Sequence, residues 1–160
     1  MNQLLATTIQ TFQTTNYLFN KAVDDMSEAD FITRPNDMVN PIQFLMGHLT
    51  LYRYHACKLL GDKTDFKYSD LYKMGSQVQD ISAYPSVAEI KAEWDSATTK
   101  LMALLENVTE AQLKKPNEAN YPIGEKNVMG ALSFCAFHES YHIGQVGYIR
   151  KFLGYETLIG

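Results

Sequence analysis

Histidine is the residue type in this chain best suited to chemistry. Two of its four histidines sit four positions apart in the run His138-Glu139-Ser140-Tyr141-His142. On a helix of about 3.6 residues per turn, Ala131, Cys135, His138, His142, Val146, Ile149 and Leu153 form one narrow stripe. Both imidazoles therefore lie on an apolar seam, with Ser140, Gly147 and Lys151 on the opposite side. Neighbours at this spacing have Cβ atoms about 5–6 Å apart and can chelate one cation through nitrogens at about 2.0–2.1 Å. A lone histidine on a seam is commonly a buried side chain satisfied by a hydrogen bond. Two without a cation need two separate sets of partners in an apolar environment, which points to a metal.

The same run matches H-E-x-x-H, the helix signature of zinc proteases whose glutamate activates a water. The protease reading fits poorly, because Glu139 falls to one flank of the stripe, no downstream third ligand of the usual kind follows, and the chain is short. The remaining histidines, His48 and His55, lie on the seam of an earlier helix with Phe44, Leu45, Leu51, Tyr52 and Leu59. Solvated histidines would be scattered around their helices, so four on seams indicate a shared site. His48 and His55 are separated by roughly 10 Å along a helix axis, too far for one cation, so only one can join the pair. Helices packed side by side tend to have their midpoints at similar heights, which favours His48 and leaves His55 as a neighbouring or channel residue.

Other polar residues near the seams are open to two readings. Asn16 interrupts the first helix's seam, where it either sets register in the core or holds a ligand imidazole. Gln145, flanking the fourth-helix seam, either contacts a ligand-bound group or packs between helices. Glu139 and Tyr141 are candidate proton carriers, with an ion pair on the helix flank as the plainer role for Glu139. Cys135, one turn before His138, is a small buried hydrophobe or an extra ligand, and Cys57 points away from its seam.

The elements that must hold these residues follow from periodicity. The chain has 160 residues, 46% hydrophobic and 20% charged, which suits a single domain spanning 1–160. A net charge of −4, with no Lys/Arg cluster interleaved with aromatics, argues against a nucleic-acid partner. No secretory leader and no run of about eighteen apolar residues is present, so no membrane association and a cytoplasmic location are expected. Two cysteines are too few for a disulfide framework. A first helix carries Leu5, Ile9, Phe12, Asn16, Phe19, Val23 and Met26. After a loop over 27–40, a second runs from Pro41, capped by Asn40, to Leu60. A long polar connection over 61–85 carries a short helical turn near Leu71, with Tyr68, Tyr72 and Tyr84 lining a mouth or packing over the bundle's end. Capping boxes at Ser86/Glu89 and Thr109/Gln112 open a third helix and a short one, and the fourth runs from about Lys126 to Leu153, with Gly154 as its C-cap. The expected fold is all-α, a four-helix bundle with a long crossover between helices 2 and 3.

Gly47-His48-Leu49 on the second helix, followed by His138-Glu139-Ser140-Tyr141-His142-Ile143-Gly144-Gln145 and a closing Leu153-Gly154, resembles the DinB/YfiT-like family of metal-dependent bundle proteins. The resemblance extends through Ser27-Glu28-Ala29-Asp30 and Arg34-Pro35 over the whole chain. It implies a divalent metal, often Zn or Ni, on a triad that maps to His48, His138 and His142, and frequently a homodimer. The apolar Ile42, Met46, Leu49 and Leu60, on more than one side of the second helix, agree with a second copy as partner. Some relatives are thiol S-transferases using a low-molecular-weight thiol, although no thiol-binding motif is visible here. Three histidines leave a coordination position open, as in catalytic rather than structural zinc sites. The leading expectation is a metalloenzyme acting on a small-molecule substrate, by activating either a thiol or a water. The alternative is a non-catalytic, stress-related protein in which metal or ligand stabilises the bundle.

Overall fold

The computed structural model describes residues 3–73, 75–76, 80, 83–118, 121–122 and 125–159. Its helices are α1 (Ala6–Val23), α2 (Glu28–Ile32), α3 (Ile42–Leu59), α4 (Val87–Asn107), α5 (Glu110–Leu113) and α6 (Val128–Phe152), with 3₁₀ turns at Gln3–Leu5 and Ser69–Leu71. No strand occurs among the described residues; one isolated bridge, Pro116 to Asn127, closes the loop before α6. The four long helices form the bundle, and the 3₁₀ turn lies where a helical turn near Leu71 is expected.

Neighbour relations set the geometry of the site. α6 packs along both α1 and α3, α3 packs along α4, and α1 meets α4 only lightly. The first two long helices are therefore diagonal, as are α4 and α6, so the chain crosses the bundle over 24–41 and again over 108–127, while the long 60–86 connection joins the neighbours α3 and α4. A loop was expected over 27–40, but α2 lies inside it and packs on α3. Ser27 precedes α2, and its hydroxyl donates to Asp30 at 2.5 Å.

Caps settle most boundaries. Ser86 and Glu89 make the expected capping box, as do Thr109 and Gln112. Asn127 caps α6 by accepting from the Gly130 amide at 2.8 Å, and Gly154 follows its end with φ +89°, a conformation few other residues adopt. α3 departs from expectation: Pro41, not Asn40, is the capping residue, and no side chain caps the helix.

The surface expected of α3 is also corrected. Ile42, Met46 and Leu49 are fully buried and Leu60 is partly buried, so they offer no free face to a second copy. α3 is apolar on several sides because α4, α6, α2 and the 61–86 connection surround it. Cys57, expected to point outward, is buried for the same reason, with its thiol against the Ala97 carbonyl. Tyr72 and Tyr84 are buried with Phe44 and Phe66, so they pack against α3 rather than line a mouth. Part of the loop before α6 (119–120 and 123–124) lies outside the described residues.

Candidate metal centre

α3 and α6 bring His48, His138 and His142 together, the only such group of potential ligands among the described residues. His48 Nε2 is 3.3 Å from His138 Nε2, which is 3.1 Å from His142 Nε2. A tetrahedral ion with bonds of about 2.0–2.1 Å sets its ligand nitrogens about 3.3–3.4 Å apart, close to both distances. One ligand atom from each ring lies within 4.8 Å of the others.

Hydrogen bonding decides which nitrogens carry protons. His48 Nδ1 lies 2.8 Å from the Tyr72 carbonyl, which can only accept, so Nδ1 is the protonated nitrogen and Nε2 presents a lone pair. Gln145 donates through Nε2 to Tyr141 Oη at 3.3 Å, and its Oε1 accepts from His142 Nδ1 at 2.6 Å. His142 Nε2 is therefore also bare. A neutral His138 supplies at most one proton between them, and its buried Nδ1 has no partner among the described atoms. Two close nitrogen pairs cannot both be satisfied by one proton, whereas a cation satisfies all three lone pairs. The residues present fit a divalent metal.

Burial keeps the rings in the ligand form. It pushes His138 down to about 3, helped by His142, His48 and His55 nearby, and His142 down to about 4 against the opposing Gln145 hydrogen bond. His48 is lowered by the same burial, partly offset by its bond to Tyr72. Tyr52 stacks on His138 with ring centroids 3.7 Å apart, and Phe134 and Tyr141 complete an aromatic surround. His138 and His142 are only half-buried, and Phe137 and Tyr141 beside them are exposed, so the outer side faces solvent. A cleft of about 490 Å³ lined by Tyr52, His55, Lys58 and Tyr121 lies to one side, and one of about 470 Å³ lined by Leu45, Tyr141 and Gln145 to the other. A larger cleft of about 780 Å³ lies between α1 and α6, and none of the three clefts is lined by the three histidines themselves.

The other expected site residues are placed as follows. His55 is half-buried against Tyr52, with centroids 5.3 Å apart, outside the cluster. Glu139 points the other way from its neighbours, into the core, fully buried. It accepts from Arg53 Nε at 2.9 Å, from a second Arg53 nitrogen, and from Thr15 Oγ1 at 2.6 Å. Its carboxylate is thus occupied by a guanidinium, not aimed at the histidines. Asn16 belongs to the same network, its Oδ1 accepting from Trp94 Nε1 at 2.8 Å and reaching Arg53 and Thr98, with no contact to an imidazole. Gln145 does contact a ring, through His142. Cys135 is fully buried outside the cluster, its thiol pushed up to about 12 by burial.

Sequence reasoning passed over Arg53. Its signal was present: it is the one Asp, Glu, Lys or Arg between Ile42 and Cys57, in a helix otherwise built for burial. It stacks 3.6 Å over Trp94 and neutralises Glu139. The Tyr72 carbonyl, a backbone atom, had no signal at all.

Comparison with known proteins agrees with this architecture. The family model of the DinB superfamily matches residues 11–146. The chain belongs to the DinB superfamily. Among solved structures, this DinB chain is similar to YfiT from Bacillus subtilis, described as a probable metal-dependent hydrolase with an unusual four-helix bundle topology. The TM-score is 0.67 at 14% identity, over 98% of this chain and 91% of that one. A conserved protein from Enterococcus faecalis gives a TM-score of 0.71 at 15% identity, over 94% of this chain and 97% of the other. At such identities the DinB likeness establishes the fold. No curated protein sequence matches the chain. No helix among the described residues is long and apolar enough to cross a membrane.

Proposed function

We propose that this protein is a metal-dependent hydrolase whose cation is held by His48, His138 and His142. The observation that carries the reading is the proton count at three converging Nε2 atoms, with His48 and His142 each anchored through Nδ1. YfiT's description as a probable metal-dependent hydrolase supports the same class. A zinc- or nickel-like ion there supplies Lewis acidity, lowering the pKa of the water or thiol it binds. The chain's own residues do the rest. Tyr72 and Gln145 orient two ligand rings, Tyr52 and Phe134 shield the inner side from solvent, and the aromatic outer rim favours an uncharged, apolar or aromatic substrate.

Water is preferred over a low-molecular-weight thiol because such thiols commonly carry carboxylates, and the nearby cations are already engaged. Lys58 pairs with Asp65 and Lys73 with Asp70. With Glu139 locked to Arg53, His55 in the adjoining cleft is the better placed proton carrier. Burial, then Lys58 and His48, lower its pKa and hold it neutral at pH 7. A homodimer is also proposed, seated on the exposed Tyr148 and Phe152 toward the C-terminal end of α6. The test is a metal-reconstituted protein assayed against activated aryl esters with and without added thiols. Metal-dependent hydrolysis indifferent to thiol supports the reading, and conjugate formed only with thiol replaces it with S-transfer. A tightly bound metal with neither activity returns the protein to a stabilising, non-catalytic role.

A further inference from the structure

Glycine inside a helix costs roughly 0.8–1 kcal/mol relative to alanine, so a glycine in the middle of α3 calls for a reason. Gly47, immediately before His48, has one. A Cβ built there would overlap the Tyr72 ring at Cζ and Cε1 and lie 2.6 Å from Cε2. The ring is seated directly on the α3 backbone.

Tyr72 cannot move aside easily. It is fully buried, with ring centroids 5.6 Å from Phe44, 5.5 Å from Tyr84 and 5.9 Å from Phe66. The same residue's carbonyl holds His48 Nδ1 at 2.8 Å. One residue of the 61–86 connection therefore makes two contacts with successive residues of α3, its ring on Gly47 and its carbonyl on His48. The phenol oxygen has no part in this, being buried without a partner among the described atoms.

We propose that Gly47 and Tyr72 are positioning residues for the metal centre. The ring seated on Gly47 sets where the Tyr72 carbonyl falls, and the carbonyl sets the tautomer and orientation of His48. The long connection is then a working part of the site, and Gly47 is there for the close approach rather than for flexibility. As a statement about metal affinity this rests on the three-histidine reading; as a statement about His48 it stands alone.

The test uses the whole protein and zinc as probe, with affinity measured by chelator competition and the His48 tautomer read by nitrogen-detected NMR of the metal-free protein. Outer partners of ligand histidines are worth about 10–100-fold in affinity. Gly47→Ala and Tyr72→Leu are expected to lose that much and to release His48 from its single Nδ1-protonated state. Tyr72→Phe, which keeps the ring, should stay within about twofold of the parent, on the same principle that the lost hydroxyl touches no ligand. Tyr84→Leu, in the same aromatic cluster but without the carbonyl link, should lower thermal stability and spare both readouts. Because a smaller residue at 72 makes room for a Cβ at 47, the Gly47→Ala/Tyr72→Leu double variant should lose no more affinity than Tyr72→Leu alone. Parent affinity and a single tautomer in Tyr72→Leu or folded Gly47→Ala overturn the proposal, as does an equal loss in Tyr84→Leu. A parent that binds no zinc sinks the metal reading, while the tautomer measurement still decides the positioning claim.

Discussion

Replacing Glu139 separates its packing role from the chemistry that H-E-x-x-H would assign it. Both side chains of the Arg53–Glu139 pair are completely buried. With Glu139→Ala, Arg53 keeps only neutral partners: the Phe12 carbonyl at 3.2 Å, Thr15 at 3.2 Å, Thr98 at 2.7 Å, Asn16 Oδ1 at 3.5 Å and the Trp94 ring at 3.6 Å. Dipoles of this kind do not cancel a desolvated unit charge. Breaking a buried pair from one side costs about 3–5 kcal/mol. At an m-value of roughly 2 kcal/mol/M, the urea midpoint falls by roughly 1.5–2.5 M. Glu139→Gln, which keeps an acceptor but not the charge, should fall between this and the parent. Arg53→Met/Glu139→Leu should recover most of the loss, since an apolar pair of similar volume leaves no orphan charge. The assay is equilibrium urea unfolding of metal-free protein, with metal content measured on the folded fraction. Stability falls and metal stoichiometry holds if Glu139 is a buried counter-ion. An unchanged midpoint for Glu139→Gln together with lost metal-dependent hydrolysis would refute the reasoning and restore Glu139 as a proton carrier.

The remaining expectations concern pH, the outer partners and assembly. His138 and His142 have native pKa values depressed to about 3 and about 4, so between there and the unfolded value near 6.5 the unfolded chain binds more protons. Their contribution is complete above about pH 6.5 and is lost as pH falls toward the depressed values. The urea midpoint of metal-free protein should therefore drop from pH 7.5 to pH 5, and a flat profile contradicts the burial of these rings. Gln145→Leu should weaken zinc binding about 10–100-fold by freeing His142, while Tyr141→Phe should leave it nearly unchanged, as read by chelator competition. Light scattering at micromolar concentration should give a dimer that Tyr148→Glu or Phe152→Glu dissociates; a parent monomer removes the proposed assembly.

The bundle was legible because its signals are local. Ser86 with Glu89 and Thr109 with Gln112 each form in place the reciprocal bonds their spacing announces. Period alone put Ile90, Trp94, Ala97 and Leu101 on one buried face. The juxtaposition of His48 with His138 was legible for a similar reason, since seam position and height along a helix are nearly sufficient. What escaped depends on who covers whom. Ile42, Met46 and Leu49 looked like a spare apolar face because sequence does not show α2 and the 61–86 connection closing over α3. Asn40 looked like a cap because its type is right, yet the chain enters α3 at Pro41. Glu139 shares its run with two seam histidines but lies far enough around α6 to meet Arg53. Tyr72 acts on His48 through a carbonyl, which side-chain chemistry cannot announce.

Metal content by elemental analysis bears most directly on the centre itself, using protein expressed without an affinity tag and dialysed at pH 7.5. The parent should hold about one divalent ion per chain, and His48→Ala, His138→Ala and His142→Ala should each lose stoichiometric binding, since two imidazoles seldom retain an ion that three hold. His55→Ala should keep it. A parent with no metal, and no thermal shift on adding zinc or nickel, contradicts the account, as does a site that His55→Ala empties and His48→Ala leaves full.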